Sequence, residues 1–272
     1  MSRMHDDMSD NYRGYIKRLI EAARNAVESK AYRIDFHVYH RHASIKESIA
    51  SCKYKGINPI IAEIKFASPS IGKIRERGDV RGIVREMEEG KAAALSILTQ
   101  PNYFNGSLEV LLNARIATDL PLLMKDIIVS EEQIDAAYHA GADAILLIYS
   151  VFKSGNLDHT LDYMIDKAHG YGLEVILEVH DEHELYDAID TDADIIGINN
   201  RDLDTMSIDI DATVRLSSRL EDRKGKYILS ESGIYSKEHI AYLKGYADAF
   251  LVGTSIMSSD NIKSKVSELV MA

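Results

Sequence analysis

The 272-residue chain has few of the residues that mark several classes of protein. Its single cysteine, Cys52, excludes an internal disulfide and a multi-cysteine metal site. Only four prolines are present, and no stretch rich in proline, glycine and serine divides the chain into two domains. No apolar run approaches the roughly 20 residues of a membrane-spanning helix, and the first residues lack the apolar core of a secretory signal. We therefore expect a single-domain, soluble cytoplasmic protein.

Positive charge is also in deficit, since 32 lysines and arginines stand against 43 acidic residues and give a net charge of −11. An acidic protein repels phosphate backbones and anionic lipids, so neither nucleic acid nor a membrane surface is expected as the main partner. Three motifs are missing as well: the phosphate-binding loop of NTPases, the G-x-S-x-G elbow of hydrolases, and a dinucleotide fingerprint after the first predicted strand. The sequence therefore gives no support for an NTPase, for a hydrolase of the usual type, or for a nicotinamide or flavin cofactor.

An internal repeat organises the chain. Similar Ala-Asp-led apolar segments begin at residues 142, 193 and 247. Half of the spacing between successive copies, roughly 26 residues, fits one strand-plus-helix unit. Near-continuous apolar runs of this length are typical of parallel strands buried on both faces. The predicted strands cover residues 59–64, 93–98, 121–124, 144–148, 173–179, 194–198, 226–229 and 249–252.

Amphipathic segments separate these runs and predict the helices. The predicted helices cover residues 79–89, 107–117, 130–139, 156–169, 181–189, 210–220, 236–244 and 258–270. Eight strands alternating with eight helices predict an α/β protein, a closed (β/α)8 TIM barrel, with a doubly wound open sheet as the alternative. We expect one domain over residues 1–272, in which residues 1–58 form a helical appendage on the barrel.

Charged residues lie near the carboxyl ends of the odd-numbered predicted strands. Glu63 and Lys65 share one face of the first strand, because side chains two residues apart point the same way. Lys125, Glu178 and Glu231 lie at or near the ends of the third, fifth and seventh strands. Barrel enzymes build their active sites at this end, so we expect the five groups to converge there. Two lysines and three glutamates in one partly desolvated space suit acid–base chemistry.

Two glycine-containing segments follow the last two predicted strands. Ser232 and Gly233 follow the seventh, and Gly253 and Thr254 follow the eighth. In many barrels these loops bind phosphate through backbone N–H groups, and glycine lets the backbone approach the anion closely. The pattern predicts a small phosphorylated substrate, with Lys65 and Arg201 supplying positive potential.

The histidines give weaker signals. His37, His40 and His42 lie in the appendage without a spaced cluster of further ligands, so no metal site is expected there. His180 and His183 follow Glu178 across a predicted strand–helix junction. We expect that these three residues do not share a face and form no zinc site.

Several segments resemble the indole-3-glycerol-phosphate synthase family. The most specific are the A-E-x-K-x-x-S-P-S motif at residues 62–70 and the N-x-R-D-L motif at residues 199–203. Further similar segments are residues 96–99, 103–107, 123–126, 141–148, 231–234 and 251–257. The resemblance runs in order from about residue 59 to residue 257. The family also carries an extra helical segment ahead of its barrel.

The resemblance implies a lyase of tryptophan biosynthesis that uses no cofactor or metal. Its substrate is 1-(2-carboxyphenylamino)-1-deoxyribulose 5-phosphate, and its products are indole-3-glycerol phosphate, carbon dioxide and water. Ring closure, decarboxylation and dehydration each need a proton donor or acceptor beside a developing charge. By position, Lys125 is the general acid for ring closure, Lys65 contacts the substrate carboxylate, and Glu178 is the base in dehydration.

The complete set of predicted site residues follows from the strand ends and the resemblance together. The expected catalytic residues are Glu63, Lys65, Lys125, Glu178, Asn199 and Ser232. The expected substrate-binding residues are Ser68, Phe104, Arg201, Glu231, Gly233, Leu251, Gly253 and Thr254. In one departure from the family pattern, Ile127 stands where an aromatic residue is common, so it can cover the substrate ring without stacking on it.

Two alternatives remain at this point. One is another phosphate-binding barrel enzyme, such as phosphoribosylanthranilate isomerase, which uses a cysteine–aspartate pair; Cys52 precedes the first predicted strand and is poorly placed for that role. The other is a non-catalytic binder of phosphorylated ligands that kept the fold. A monomer is expected, because no apolar stripe is left over from the predicted core.

Overall fold

Eight parallel strands form a closed barrel. A computed structural model describes residues 2–155, 157–202 and 205–272 of the protein, with side chains from residue 16 onward. In chain order, the strands are β1 (Ile60–Ile64), β2 (Ala67–Ser68), β3 (Gly72–Lys73), β4 (Ala94–Leu98), β5 (Leu122–Lys125), β6 (Ala144–Ile148), β7 (Glu174–Val179), β8 (Ile195–Asn199), β9 (Tyr227–Glu231) and β10 (Ala249–Val252). β2 and β3 form a small antiparallel hairpin, and the other strands pair in sequence until β10 meets β1. The predicted (β/α)8 barrel is confirmed.

Helices surround the barrel and bury their apolar faces against its strands. In chain order, they are α1 (Ser2–Glu28), α2 (Ile45–Tyr54), α3 (Val80–Glu89), α4 (Pro101–Phe104), α5 (Leu108–Ala117), α6 (Glu131–His139), α7 (Tyr149–Lys153), α8 (Leu161–Gly170), α9 (Glu182–Ile189), α10 (Asp211–Ser217), α11 (Lys237–Leu243), α12 (Thr254–Met257) and α13 (Ile262–Val270). Within the described ranges, no helix combines the length and the apolar character that crossing a bilayer requires.

The structure departs from the sequence-based boundaries where short elements occur. The helix expected from residue 156 begins at Leu161, where the Thr160 side chain caps it, and α7 precedes it as a separate turn of helix. Asn156 lies outside the described residues. The helix expected from residue 258 begins at Ile262 behind the Asn261 cap. A helix of four or five residues has no periodicity that a sequence pattern can reveal.

The internal repeat has a structural role at the amino-terminal end of the barrel. The aspartates of the three repeated segments are Asp143, Asp194 and Asp248. Each accepts a hydrogen bond of 2.8 or 2.9 Å from a backbone N–H of the preceding barrel strand and also pairs with a cation from outside the barrel. The cations are Arg115 for Asp143, Lys46 for Asp194, and Lys53 and Arg223 for Asp248. The repeated aspartate therefore links its own strand to the preceding strand by a hydrogen bond, at the end of the barrel opposite the active site.

The appendage reaches both ends of the barrel. Helix α1 packs on α4 and α7, which follow barrel strands at the carboxyl end, and buries Leu19 and Ile20. Helix α2 lies at the other end, where its amino terminus is bonded to Glu174 and its lysines meet the repeat aspartates. Just after α2, the Asn58 side chain donates to backbone carbonyls at the end of the chain, at 3.1 and 2.9 Å. Both ends of the chain are thus fixed to the barrel.

The segment between α1 and α2 contains the only grouping of potential metal ligands found among the described residues. Ligand atoms of His40, His42 and Asp143 lie within 4.8 Å of one another. The Asp143 carboxylate, however, already accepts hydrogen bonds from Ala43 N, Leu122 N and the Arg115 guanidinium, each at 2.9 Å. Because its oxygens are occupied, we interpret the grouping as a hydrogen-bond network that attaches the segment to the barrel.

Candidate active site

A cavity of about 140 Å³ opens at the carboxyl ends of the barrel strands. All fourteen residues predicted for the site line it, although they come from widely separated parts of the chain. They are Glu63, Lys65, Ser68, Phe104, Lys125, Glu178, Asn199, Arg201, Glu231, Ser232, Gly233, Leu251, Gly253 and Thr254. The barrel therefore brings the predicted groups together, while their individual roles stay predictions.

Five charged side chains form two sets of ion pairs inside this cavity, one around Lys125 and one around Lys65. The Lys125 Nζ atom lies 3.0 Å from Glu178 Oε2 and 3.2 Å from Glu231 Oε2. The Lys65 Nζ atom lies 2.7 Å from Glu63 Oε1. The three glutamates are at most 2% exposed. Charges held out of water in this way interact more strongly than the same charges on the surface.

These surroundings separate the proton affinities of the carboxylates. Burial disfavours the charged form of Lys125, but the neighbouring carboxylates, Glu178 first, outweigh it and raise the pKa of the ammonium above its usual range. Burial also opposes ionisation of Glu178, but Lys125 and His180 hold its pKa well below the usual range. For Glu231 burial dominates and raises the pKa to about 7. One carboxylate is thus ionised at neutral pH while its neighbour is close to half protonated, a separation typical of acid–base sites.

The Glu231 carboxylate has no well-aligned hydrogen bond, although Lys125 is near. Neither of its oxygens has a hydrogen-bond partner among the described residues, and the side chain is 1% exposed. A buried carboxylate without such partners is costly unless a ligand supplies them. Both carboxylate oxygens of Glu231 are therefore available to accept a hydrogen bond from a bound ligand.

Replacing Glu231 by glutamine should make stability less dependent on pH. Because folding raises the pKa of Glu231, its contribution to stability is fully present below the unfolded pKa and is lost as the pH rises through about 7. Glutamine keeps the shape but cannot ionise. The difference obtained by subtracting the wild-type free energy of unfolding from that of Glu231→Gln should therefore be about 2 kcal/mol larger at pH 8 than at pH 5. Urea unfolding at both pH values measures this difference.

Glu88→Gln, at an exposed position on α3, serves as the matched control for this measurement. It should leave the pH dependence of unfolding as in the wild type. A Glu231→Gln protein whose stability relative to the wild type is the same at pH 5 and pH 8 would show that burial does not raise the pKa of this carboxyl.

Small residues on intervening strands make room for the carboxylates. A Cβ atom added at Gly197 in β8 would overlap the Glu231 carboxylate, and one added at Gly253 after β10 would overlap Glu63. Ser96 in β4 lies on the other side of Glu63, with its Oγ atom 3.5 Å from Glu63 Oε2. The interior layer therefore alternates large charged groups with small side chains, as barrel interiors require.

Two polar residues hold Glu178 from the side away from Lys125. The Asn199 side chain donates a 2.9 Å hydrogen bond to Glu178 Oε1, and His180 Nε2 lies 3.2 Å from the same oxygen. The expectation that Glu178 and His180 do not share a face is wrong for this pair. His180 follows β7 directly, so it keeps the two-residue alternation of the strand. His183, by contrast, lies on α9 beside Asp187.

A second buried carboxyl, which the sequence analysis did not single out, lies next to Lys125. Asp126 accepts hydrogen bonds from the Thr99 hydroxyl, from Tyr32 OH at 2.8 Å and from Ile127 N at 2.7 Å. Burial raises the pKa of Asp126 to about 6 in spite of these donors. Since Tyr32 belongs to the appendage, this bond connects the appendage directly to the strand that carries Lys125.

The two expected phosphate loops also border the cavity. Ser232 and Gly233 are consecutive residues with positive φ, of 68° and 77°. For serine this conformation costs about 1 kcal/mol or more, and such strain is concentrated at functional sites. Gly253 caps the short helix α12, which begins at Thr254. Both loops thus lie at the cavity, and phosphate binding by them stays a prediction.

Aliphatic side chains cover the opposite wall. The residues of this wall are Leu19, Leu98, Ile127, Leu146 and Ile148. Ile127, which stands where the family pattern commonly has an aromatic residue, is 4% exposed and lines the cavity. An apolar wall facing charged groups suits a flat aromatic ring with polar substituents.

Comparison with known proteins identifies the family of this chain. The sequence matches the family described as indole-3-glycerol phosphate synthase over residues 11–269. An indole-3-glycerol phosphate synthase of Methanocaldococcus jannaschii is 50% identical over 216 residues, which are 79% of this chain and 78% of that protein. One of Bacillus cereus is 45% identical over 206 residues, 75% of this chain and 79% of that protein.

Solved structures support the fold alone. Tryptophan synthase subunit alpha from Legionella pneumophila aligns with a TM-score of 0.60 at 12% identity, over 83% of this chain and 96% of that one. The thiamine phosphate pyrophosphorylase of Pyrococcus furiosus aligns with a TM-score of 0.57 at 18% identity, over 78% of this chain and 93% of that one. With the family match covering nearly the whole sequence, the chain belongs to the indole-3-glycerol phosphate synthase family.

Proposed function

We propose that this protein converts 1-(2-carboxyphenylamino)-1-deoxyribulose 5-phosphate into indole-3-glycerol phosphate, carbon dioxide and water. The observation that carries the proposal is Lys125, whose side chain is 16% exposed and whose ammonium is held between the carboxylates of Glu178 and Glu231 in a cavity with one apolar wall. Family membership supplies the reaction class. The arrangement of charges supplies a donor and an acceptor for its proton transfers.

We place the substrate in the cavity in the orientation that its chemical groups suggest. Its phosphate suits the loops at Ser232–Gly233 and Gly253–Thr254, where backbone N–H groups and hydroxyls are available. Its aromatic ring suits the aliphatic wall, and its carboxylate suits Lys65, whose side chain is 16% exposed. Ser68, Phe104 and Leu251 border the same space, and Arg201 adds positive charge near the rim.

Ring closure is the step assigned to Lys125. The aromatic carbon that bears the carboxylate attacks the ketone carbon, and the ketone oxygen takes a proton from the ammonium as its negative charge develops. Glu178 and Glu231 keep that ammonium charged and oriented. Glu63 restrains Lys65 beside the carboxylate. Donors fixed before the reaction begins stabilise the developing charge without reorganisation.

The later steps return the ring to aromaticity. Carbon dioxide leaves as the carbon–carbon bond electrons move into the ring system. The hydroxyl formed in ring closure then leaves as water after protonation, for which Lys65 is the nearest second ammonium. Glu178, ionised at neutral pH, accepts the proton released in that elimination, while Asn199 holds the carboxylate in place. Glu231 and Ser232 orient the substrate hydroxyls.

A fluorescence assay tests the proposal. Purified protein with the carboxyphenylamino substrate and no added metal should give rising indole fluorescence and one carbon dioxide per product. Thermal stabilisation by the substrate without any product would instead favour the non-catalytic binder. Turnover of phosphoribosylanthranilate alone would favour the isomerase, although Cys52 lies in α2 and does not line the cavity.

A further inference from the structure

His180 is a buried histidine that no role assigned above requires as a reacting group. Its ring lies between two glutamates on opposite sides, with Nε2 3.2 Å from Glu178 Oε1 and Nδ1 3.4 Å from Glu184 Oε2. The histidine side chain is 10% exposed, and both carboxylates are nearly inaccessible. Neither contact has the alignment of a hydrogen bond, so the attraction is that of an ion pair.

The position of both ring nitrogens determines the charge of this imidazole. A neutral imidazole carries a bare lone pair on one nitrogen, which would then face a carboxylate oxygen and be repelled. Only the imidazolium presents an N–H group to each carboxylate. The raised pKa of His180, about 9 against the opposing effect of burial, agrees with the same assignment.

Glu184 is itself held in place, which makes the arrangement rigid. It lies in the first turn of α9, its carboxylate accepts a 2.8 Å hydrogen bond from His180 N, and its own N–H donates to the Asp181 side chain at 2.8 Å. The imidazole is thus enclosed by a strand end and a helix start that are bonded to each other. A group fixed in this way can orient its neighbour in the active site.

The charges around Glu178 explain why a second cation is needed there. Lys125 faces Glu178 from β5 but divides its charge with Glu231 of β9, while Asn199 of β8 contributes only a neutral donor. His180 is the remaining cation in contact with Glu178 in the described parts of the chain. Without it, two carboxylates would compete for one ammonium.

We propose that His180 is a positioning residue that stays protonated between Glu184 and Glu178 and so keeps the Glu178 carboxylate ionised and oriented to accept a proton. This inference rests on the proposed function, in which Glu178 is the base. It assigns to His180 no contact with the substrate, and it predicts an effect on the pH dependence of the reaction rather than on substrate binding.

The test compares two substitutions that differ in charge. In His180→Gln, the acid limb of the kcat–pH profile should move up by about one pH unit from its wild-type position, so that kcat is about tenfold lower at any pH on that limb, with KM within about twofold of the wild type. His180→Lys keeps a cation and should leave the acid limb near its wild-type position. An unchanged acid limb in His180→Gln, or equal shifts in both variants, would overturn the proposal.

Nuclear magnetic resonance of the wild-type protein gives a second measurement that needs no activity. The His180 imidazole signals, identified by their absence from the His180→Gln spectrum, should report an imidazolium throughout pH 5–8. A His180 that is neutral at pH 7 would reject the proposal. If the wild type has no synthase activity, the proposed function fails, while these spectra still decide the protonation state of His180.

Discussion

Replacing Lys125 by methionine should lower kcat by about a thousandfold, with a small change in KM. Methionine fills similar volume, so the loss reflects the missing ammonium, which both donates the proton for ring closure and stabilises the oxyanion. The partners of Lys125 make this residue difficult to replace. Glu178 and Glu231 both point at its Nζ atom, and no other described lysine or arginine is paired with either of them. Indole fluorescence under saturating substrate measures the effect.

Lys125→Arg separates positive charge from proton donation. Arginine keeps the charge but does not release its proton at accessible pH, so this variant should stay folded and nearly inactive. Lys224→Met, a change of the same type at an exposed ion pair with Asp190, should retain full activity. Circular dichroism checks the fold of each protein. A Lys125→Met enzyme with more than a tenth of the wild-type kcat would remove Lys125 from the role of general acid.

Glu178→Gln should lower the rate of product formation by about a hundredfold or more, and chiefly at dehydration. The two carboxylate oxygens have different donors: Oε2 faces the Lys125 ammonium and Oε1 accepts from Asn199. A glutamine must turn its NH2 group toward one of these donors. The variant therefore loses both the base and the fixed geometry around it, since an unpaired donor in a buried site is costly.

Measuring two products in a single turnover locates the affected step. Carbon dioxide, followed from a labelled carboxylate, should still be released by Glu178→Gln, whereas indole fluorescence should lag behind it. Glu231→Gln changes the other carboxylate beside Lys125 and should slow the reaction without this lag. Equal delays of carbon dioxide and indole in Glu178→Gln would contradict the assignment of Glu178 to dehydration.

The sequence is sufficient to predict the barrel because every barrel strand is an apolar run between helical segments. The predicted and observed strands differ by at most two residues at either end, and the convergence of Lys125, Glu178 and Glu231 follows from strand parity. His180 could also have been found by that rule, since it lies two residues after Glu178. The predicted end of the strand at residue 179 is correct, but the expectation at the junction did not carry the alternation on to the next residue.

Other parts of the site carry no signal in a single sequence. The bond between Tyr32 and Asp126 joins residues 94 positions apart, and neither lies in a motif that predicts it. The position of Leu19 in the cavity depends on how α1 crosses the carboxyl end of the barrel, which amphipathic periodicity does not determine. Long-range packing of this kind appears only in three dimensions.

The bonds of α2 and Asn58 have a consequence for how the protein is made. The ion-pair partners of Lys46 and Lys53 are Asp194 and Asp248, and the Asn58 side chain donates to the carbonyls of Leu269 and Ala272. During translation the first helices leave the ribosome long before these partners exist. The apolar face of α2 therefore stays uncovered until nearly the whole polypeptide has emerged, and that interval is when a nascent chain of this kind is most open to aggregation and to chaperones.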